Sequence, residues 1–229
     1  MIININTEAE ATYDNVRTQP VEVYKNTLLY DTFKSVFDVV SSFFALAVFI
    51  VPMIIIGSLI FITTGDKNVI YKQKRIGKHG KEFYMYKFKS MIDTDKPLEH
   101  FLDEKQLAQY KKYFKLDDDP RVTRIGRILR KTSLDEFPQL VNVLKRDMSI
   151  VGPRPLVPSE YELYGENKTK LVSVIPGITG YWQTNGRNNA TFAQSMELQL
   201  YYVDNRSPLL DLQILLKTVV VVLKGTGAK

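Results

Sequence analysis

Apolar and polar positions segregate into blocks along this chain. Residues 1–20 are polar and unpatterned, as a mobile tail is, and residues 21–34 mix apolar and charged positions like an interfacial lead-in. From Val39 to Gly65 no residue is charged, and Val, Ile, Leu, Phe and Ala dominate. That run is about 27 residues long, against the roughly 20 that cross a bilayer core. It begins too late and runs too far for a cleaved leader, and it lacks a small-residue cleavage site. Val69–Arg75 and Phe83–Met91 then carry β-branched and aromatic residues around Gly77-Lys78-His79-Gly80, which predicts a hairpin. Residues 98–115 read as helix. Val122, Ile125, Ile128 and Leu129 recur at helical spacing with arginines opposite, and a further helix is predicted from about Leu134 to Leu144. Residues 176–190 form a Gly-rich loop. Ser207 as N-cap and Pro208 at N1 open a last helix, Leu209–Leu223.

There is no internal repeat and no low-complexity linker, so one catalytic domain follows one anchor. The division is a tail and lead-in at 1–34, a membrane helix at 35–65 and a cytosolic domain at 66–229. The last helix is apolar on almost every side but carries Asp211, Gln213 and Lys217. Core packing is favoured over a place in the headgroup layer.

Two features bear on how the apolar run sits in a membrane. Lys25 and Lys34 precede it, and Lys67, Lys72, Lys74, Arg75, Lys78 and Lys81 follow it. If the helix spanned, one basic flank would break the positive-inside preference. Pro52 lies mid-run, where it removes a backbone hydrogen bond. A kinked spanning helix and a bent, re-entrant one both fit the residues.

Composition narrows the partners. The formal net charge is +6 and the sequence pI about 9.2, with the excess between Lys67 and Lys131. Such a chain meets anions: nucleic acid, lipid headgroups or a phosphorylated substrate. With no cysteine, disulfides and thiolate metal sites are excluded. His79 and His100 stand far apart among polar residues and read as surface.

The chemistry concentrates in residues 120–155. Asp135-Glu136 is an adjacent carboxylate pair, preceded by Arg121, Arg124, Arg127 and Arg130 and followed by the rigid turn Gly152-Pro153-Arg154-Pro155. Ser133-Leu134-Asp135-Glu136 also matches a capping box, the structural alternative. Pro138 argues instead for Asp135 as the cap, which places both carboxylates at an open helix N-terminus suited to phosphate. A hard divalent ion, Mg²⁺ first, would let carboxylates and phosphates share that space. Prolines on both sides hold the Arg154 backbone, which suits bidentate phosphate recognition. Lys87 and Lys89 face away from Tyr84, Tyr86 and Phe88, toward either the same site or water.

Residues 120–155 closely resemble the signature of the bacterial sugar transferases, the monotopic polyprenyl-phosphate phosphoglycosyl transferases that start glycan assembly on a membrane lipid. Gln73-Lys74-Arg75-Ile76-Gly77, Tyr86-Lys87-Phe88-Lys89-Ser90-Met91 and Pro176-Gly177-Ile178-Thr179-Gly180-Tyr181-Trp182-Gln183, ending at Asn185-Gly186-Arg187, are similar to further elements of that family. The resemblance runs in order from Lys34 onward. It implies a mainly α fold with a small β-hairpin: a re-entrant, Pro-broken N-terminal helix and a cytosolic α/β catalytic domain. It implies transfer of a sugar 1-phosphate from a UDP-sugar to undecaprenyl phosphate with release of UMP. The setting is the cytoplasmic face of the bacterial inner membrane, as the first membrane step of capsule, exopolysaccharide, O-antigen or glycoprotein glycan synthesis. Asp135 would be the nucleophile and Glu136 its Mg²⁺-binding partner, both carboxylates serving as metal ligands. Lys87, Arg130 and Arg154 would contact phosphates or nucleotide, and Gln199 would join the substrate-binding set.

The chain also departs from the family pattern. Val51-Pro52 stands where a Ser-Pro pair is common, Lys89 and Ser90 where Arg and Thr are common, Arg146 in place of a Gly, and Gln199 in place of an Asp. No nucleic-acid partner is expected, and the apolar C-terminal helix could serve a homodimer. The rival reading is a membrane-anchored basic binding or scaffold protein without catalysis; it leaves the carboxylate pair among the arginines unexplained. Nothing in the sequence names the sugar.

Overall fold

A computed structural model describes residues 28–92, 97–113, 116, 119–185 and 191–224. The expected tail, the start of the lead-in, and Gly186 and Arg187 lie outside the described residues.

The apolar run forms helix α1, Leu28–Thr64, which takes in the end of the lead-in and continues through Pro52 without interruption. The helix is thus continuous where a break was expected. Missing the N–H of residue 52 removes one backbone bond but leaves those on either side. At 37 residues and about 1.5 Å per residue, α1 is long and apolar enough to cross a bilayer. Most of its surface is exposed aliphatic and aromatic side chain, as at Phe43, Phe44, Val48, Val51, Ile54 and Ile62.

The hairpin is as expected: β1 (Ile70–Ile76) and β2 (Glu82–Phe88) pair antiparallel, with Tyr71 opposite Lys87. A helix α2 (Glu104–Tyr113) follows, then α3 (Arg124–Thr132), where the Thr123 hydroxyl caps by accepting the Gly126 N–H. The helix expected at Leu134–Leu144 begins later. Leu134–Glu136 is a 3₁₀ turn, and α4 spans Gln139–Leu144 with Pro138 as its N-cap residue. Ser133 caps no helix N-terminus; it ends α3 in the left-handed region at φ 57°. Neither the Ser133 box nor an Asp135 cap forms.

Two short strands, β3 (Ser149–Val151) and β4 (Gly177–Thr179), pair in parallel where the sequence suggested only turn and loop. At three residues each they are too short for alternation to register. A Cβ on Gly177 would lie 2.1 Å from the Gly152 nitrogen, so glycine is what lets these backbones meet. Helices α5 (Pro158–Glu162), α6 (Lys168–Leu171), α7 (Tyr181–Asn185), α8 (Phe192–Asn205) and α9 (Pro208–Lys224) complete the described chain.

The core forms several packed clusters. Phe83, Met85, Val143 and Met148 join the hairpin to α4. Ile56 and Ile60 of α1 pack with Phe88 and Leu129. Val151, Tyr202 and Ile214 tie β3 to α8 and α9. Only one side of α9 packs, since Leu209, Leu212, Leu216 and Leu223 stay exposed. The core placement expected for it therefore holds for one face.

Helix α1 touches the same domain at both ends of its apolar run. Before it, Lys34 bonds Asp211 at 2.8 Å, and buried Asp38 accepts from the Ser149 hydroxyl at 2.6 Å. Near its end, Ile56 and Ile60 are buried against Phe88 and Leu129. Between these contacts the side chains from Ala47 to Pro52 are largely exposed, with the Phe49 ring edge-on against Phe137 at 4.8 Å.

Candidate active site

Lys87 reaches the carboxylate pair because of how β2 is held. Phe83 and Met85 are buried, so the odd positions of β2 face the domain, and Lys87 shares that face. Across β2, Asn142 of α4 serves as a substitute strand. Its Oδ1 accepts the Tyr86 N–H at 3.0 Å and its Nδ2 donates to the Tyr84 carbonyl at 2.7 Å. Asn142 is completely buried, so these bonds fix α4, and the turn before it, against the strand. Lys87 Nζ then lies 2.6 Å from Glu136 Oε1.

Arg130 arrives from the other side. A Cβ on Gly126 would sit 2.0 Å from the Ser90 carbonyl oxygen, so glycine lets α3 press against the chain leaving β2. Arg130 Nε donates to Ser90 Oγ at 2.9 Å, and its charge acts on Asp135. The left-handed Ser133 turns the chain so that the carboxylates come back beside Arg130.

Asp135 is buried, at 8% exposure, and its pKa is pushed up to about 6. Burial is the first cause; Lys87 opposes it, the neighbouring Glu136 adds to it, and Arg130 opposes it. Asp135 is thus a desolvated carboxylate that is mostly ionised at neutral pH and has no ion pair among the described residues.

A second group gathers around Arg154. Its backbone N–H donates to Gln199 Oε1 at 3.0 Å, its guanidinium stands 3.5 Å from Glu160, and it lies over the Trp182 ring at 5.5 Å. Gln199 is buried and uses its other end to donate to the Tyr164 hydroxyl at 2.7 Å. In this structure its amide holds the Arg154 backbone. Arg75, also buried, donates to the Pro155 carbonyl at 2.8 Å and lies 3.8 Å from Glu160. Burial and the nearby Arg154 lower its pKa to about 10, while Glu160 and Glu136 oppose that. Arg75 therefore feels Glu136 from one group and Arg154 from the other. Arg75 Nε, Trp182 Nε1 and Gln183 Oε1 are buried and lack partners among the described residues, so two donors and an acceptor near Arg154 stay unused.

The structure brings Asp135, Glu136, Lys87 and Arg130 together and sets Arg154 and Gln199 beside Arg75. Lys89 is separate: it is buried against Asp66. Arg121 is engaged by Asp119, while Arg124 and Arg127 are exposed, so of the four arginines only Arg130 serves the carboxylates. Sequence reasoning missed Arg75, Glu160 and Asn142 as site residues. The Gln73-Lys74-Arg75-Ile76-Gly77 element of the resemblance held a signal for Arg75; nothing in the sequence marked the bonds of Asn142 to β2.

Two adjacent carboxylates with open oxygen positions fit a hard divalent ion that takes its remaining ligands from water and phosphate. Among the described residues no cluster of three metal-ligating side chains forms, as a dedicated protein cage would need.

Comparison with known proteins follows the same residues. The family model described as bacterial sugar transferase matches residues 29–225. The galactosyl transferase CpsE of Streptococcus agalactiae is 38% identical over all of this chain, which spans 53% of that protein. The undecaprenyl-phosphate galactose phosphotransferase of Salmonella typhimurium is 42% identical over 85% of this chain and 41% of its own length. The exopolysaccharide production protein ExoY of Sinorhizobium fredii is 38% identical over 85% of this chain and 87% of its own length. The chain thus spans about half, or less, of the first two relatives.

Proposed function

This chain belongs to the bacterial sugar transferase family, and from that premise we propose that it transfers a sugar 1-phosphate from a UDP-sugar to undecaprenyl phosphate, releasing UMP. The observation that carries the proposal is Asp135: a buried, ionised carboxylate whose neighbour Glu136, and not Asp135 itself, holds the lysine.

An Asp135 oxygen attacks the sugar-side phosphorus of the donor. A bond forms between that oxygen and phosphorus, the bond to the bridging oxygen breaks, and UMP leaves with the electron pair. The lipid phosphate then attacks the same phosphorus and frees Asp135, giving a sugar diphospho-lipid. Lys87 orients Glu136. Arg130, Arg75 and Arg154 lower the repulsion between an anionic nucleophile and an anionic diphosphate. Asp135 and Glu136 would hold Mg²⁺, which supplies neutralisation of charge on the phosphate oxygens.

The two-ended contact of α1 supports a re-entrant anchor. A helix that crossed would put residues 34 and 60 on opposite sides of roughly 30 Å of hydrocarbon, and a domain on one side could touch only one of them. Both touch it here. Both ends of the apolar run then lie at one membrane face, and the catalytic domain lies on the cytoplasmic side, where basic flanks are favoured.

The test is release of UMP from UDP-sugars by the full chain in the presence of undecaprenyl phosphate and Mg²⁺. UDP-galactose comes first, since two relatives are named for galactose. No turnover across a broad panel of UDP-sugars would favour a binding or scaffold protein.

A further inference from the structure

Away from the carboxylates, a cavity of about 350 Å³ opens where α1 meets the domain. Its lining includes four cations, Lys34, Lys78, Arg146 and Arg206, and two carboxylates, Asp31 and Asp38. The carboxylates are engaged. Asp31 pairs with Arg206 at 3.4 Å, and Asp38 accepts from Ser149 and lies 3.9 Å from Lys34. Lys34 is further held by Asp211. Lys78 and Arg146 make no ion pair or side-chain hydrogen bond among the described residues, so the cavity carries uncompensated positive charge.

Arg146 holds its place under strain. Its φ is 62°, in the left-handed region where glycine is at ease and an arginine is not. The sequence keeps a long cation here, at the cavity, in a conformation that glycine would adopt more easily.

Position in the membrane identifies the anion. The cavity is lined by residues 31–38, immediately before the charge-free run begins at Val39. Val36, at its edge, starts an exposed row with Val40 and Phe44 along one face of α1. A phosphate group in the cavity would have apolar surface leading away from it into the bilayer. We infer that this cavity binds the headgroup of an anionic phospholipid, with Lys78 and Arg146 on the phosphate and the acyl chains along Val36, Val40 and Phe44. The site is separate from the catalytic residues and does not rest on the activity proposed for them.

The test uses the full chain in nanodiscs of neutral phosphatidylcholine, supplied with phosphatidylglycerol and then extracted in mild detergent, with retained lipid read by native mass spectrometry. The wild type is expected to retain one phosphatidylglycerol, and Lys78→Gln and Arg146→Gly each to weaken retention at least about tenfold, as loss of a charge-assisted bond would. Glycine suits φ 62°, so Arg146→Gly is expected to melt no lower than wild type in neutral lipid. Equal retention of phosphatidylcholine, or undiminished retention in Arg146→Gly, overturns the proposal. So does inorganic phosphate that stabilises the lipid-free protein as much as phosphatidylglycerol does, since the site would then be one for free anions.

Discussion

Lys87 Nζ stands 2.6 Å from Glu136 Oε1 and so takes the outer member of the carboxylate pair, leaving Asp135 without an ion-pair partner among the described residues. The arrangement divides the labour of two adjacent acids. Glu136 is held in place by a permanent counter-charge, and Asp135 keeps its charge unspent in a poorly solvated position. A capping pair would have been tied to backbone N–H groups instead.

Replacing Asp135 with Asn is expected to lower UMP release by at least about 10³-fold while the fold persists. The same change should raise thermal stability at neutral pH, because it removes a buried charge. The pKa of Asp135 is raised from 3.8 to about 6, so the charge costs nothing below pH 3.8, costs more as pH rises toward 6, and costs its full amount above that. The gain in Asp135→Asn should therefore be on the order of a few kcal/mol above pH 6 and vanish near pH 4. Melting curves across that range decide it.

Catalysis should fall as acid protonates Asp135. The pH profile of UMP release is expected to rise through about pH 6 and level off above it. Lys87 opposes the raised pKa, so Lys87→Gln should shift that rising limb to higher pH. An unshifted limb would remove Lys87 from the field of the nucleophile.

Arg154→Lys keeps the charge but loses the planar fork and its stacking on Trp182. Donor affinity is expected to drop at least about tenfold with membrane attachment intact. Unchanged kinetics would reduce Arg154 to a turn residue.

Gln199→Leu strands the Arg154 N–H and the Tyr164 hydroxyl, at a cost of about 1–3 kcal/mol in stability. Gln199→Glu should restore most of it, since a carboxylate can accept from both. The KM for donor should follow the same order, if Gln199 acts by positioning Arg154.

Single cysteines at Leu28 and Lys67, in a chain with no native thiol, should both resist a membrane-impermeant reagent applied to intact cells. Labelling of Leu28→Cys from outside would mean that α1 crosses.

Much of this was legible from residue patterns. The hairpin, the long apolar helix and the last helix followed from uninterrupted apolar runs, alternation and the Ser207-Pro208 start. The carboxylate pair and Arg154 stood out because their neighbours are so basic or so rigid. What could not be read were features set by contact at long range. Asn142 looks like any helical polar residue until β2 is found beside it. Asp135 was expected as a cap, but the left-handed Ser133 ends α3 and uses the following residues in a 3₁₀ turn, delaying α4 to Gln139. The positioning role of Gln199 was likewise hidden: among the described residues its amide bonds the Arg154 N–H and the Tyr164 hydroxyl, partners 45 and 35 residues away. Strands β3 and β4 exist because two glycines allow close approach, which periodicity does not register.

The contact of Tyr30 and Lys34 with Asp211 also sets an order of events during synthesis. The first described turn of α1 emerges from the ribosome long before its partner, which lies 177 residues beyond Lys34. Until α9 is made, Tyr30 and Lys34 lack that partner, while the apolar run behind them is already complete. Ser149, Phe88 and Leu129 are made in between, so the partners of Asp38, Ile56 and Ile60 are available sooner. The seam between α1 and the domain thus closes last, at the end of the helix made first.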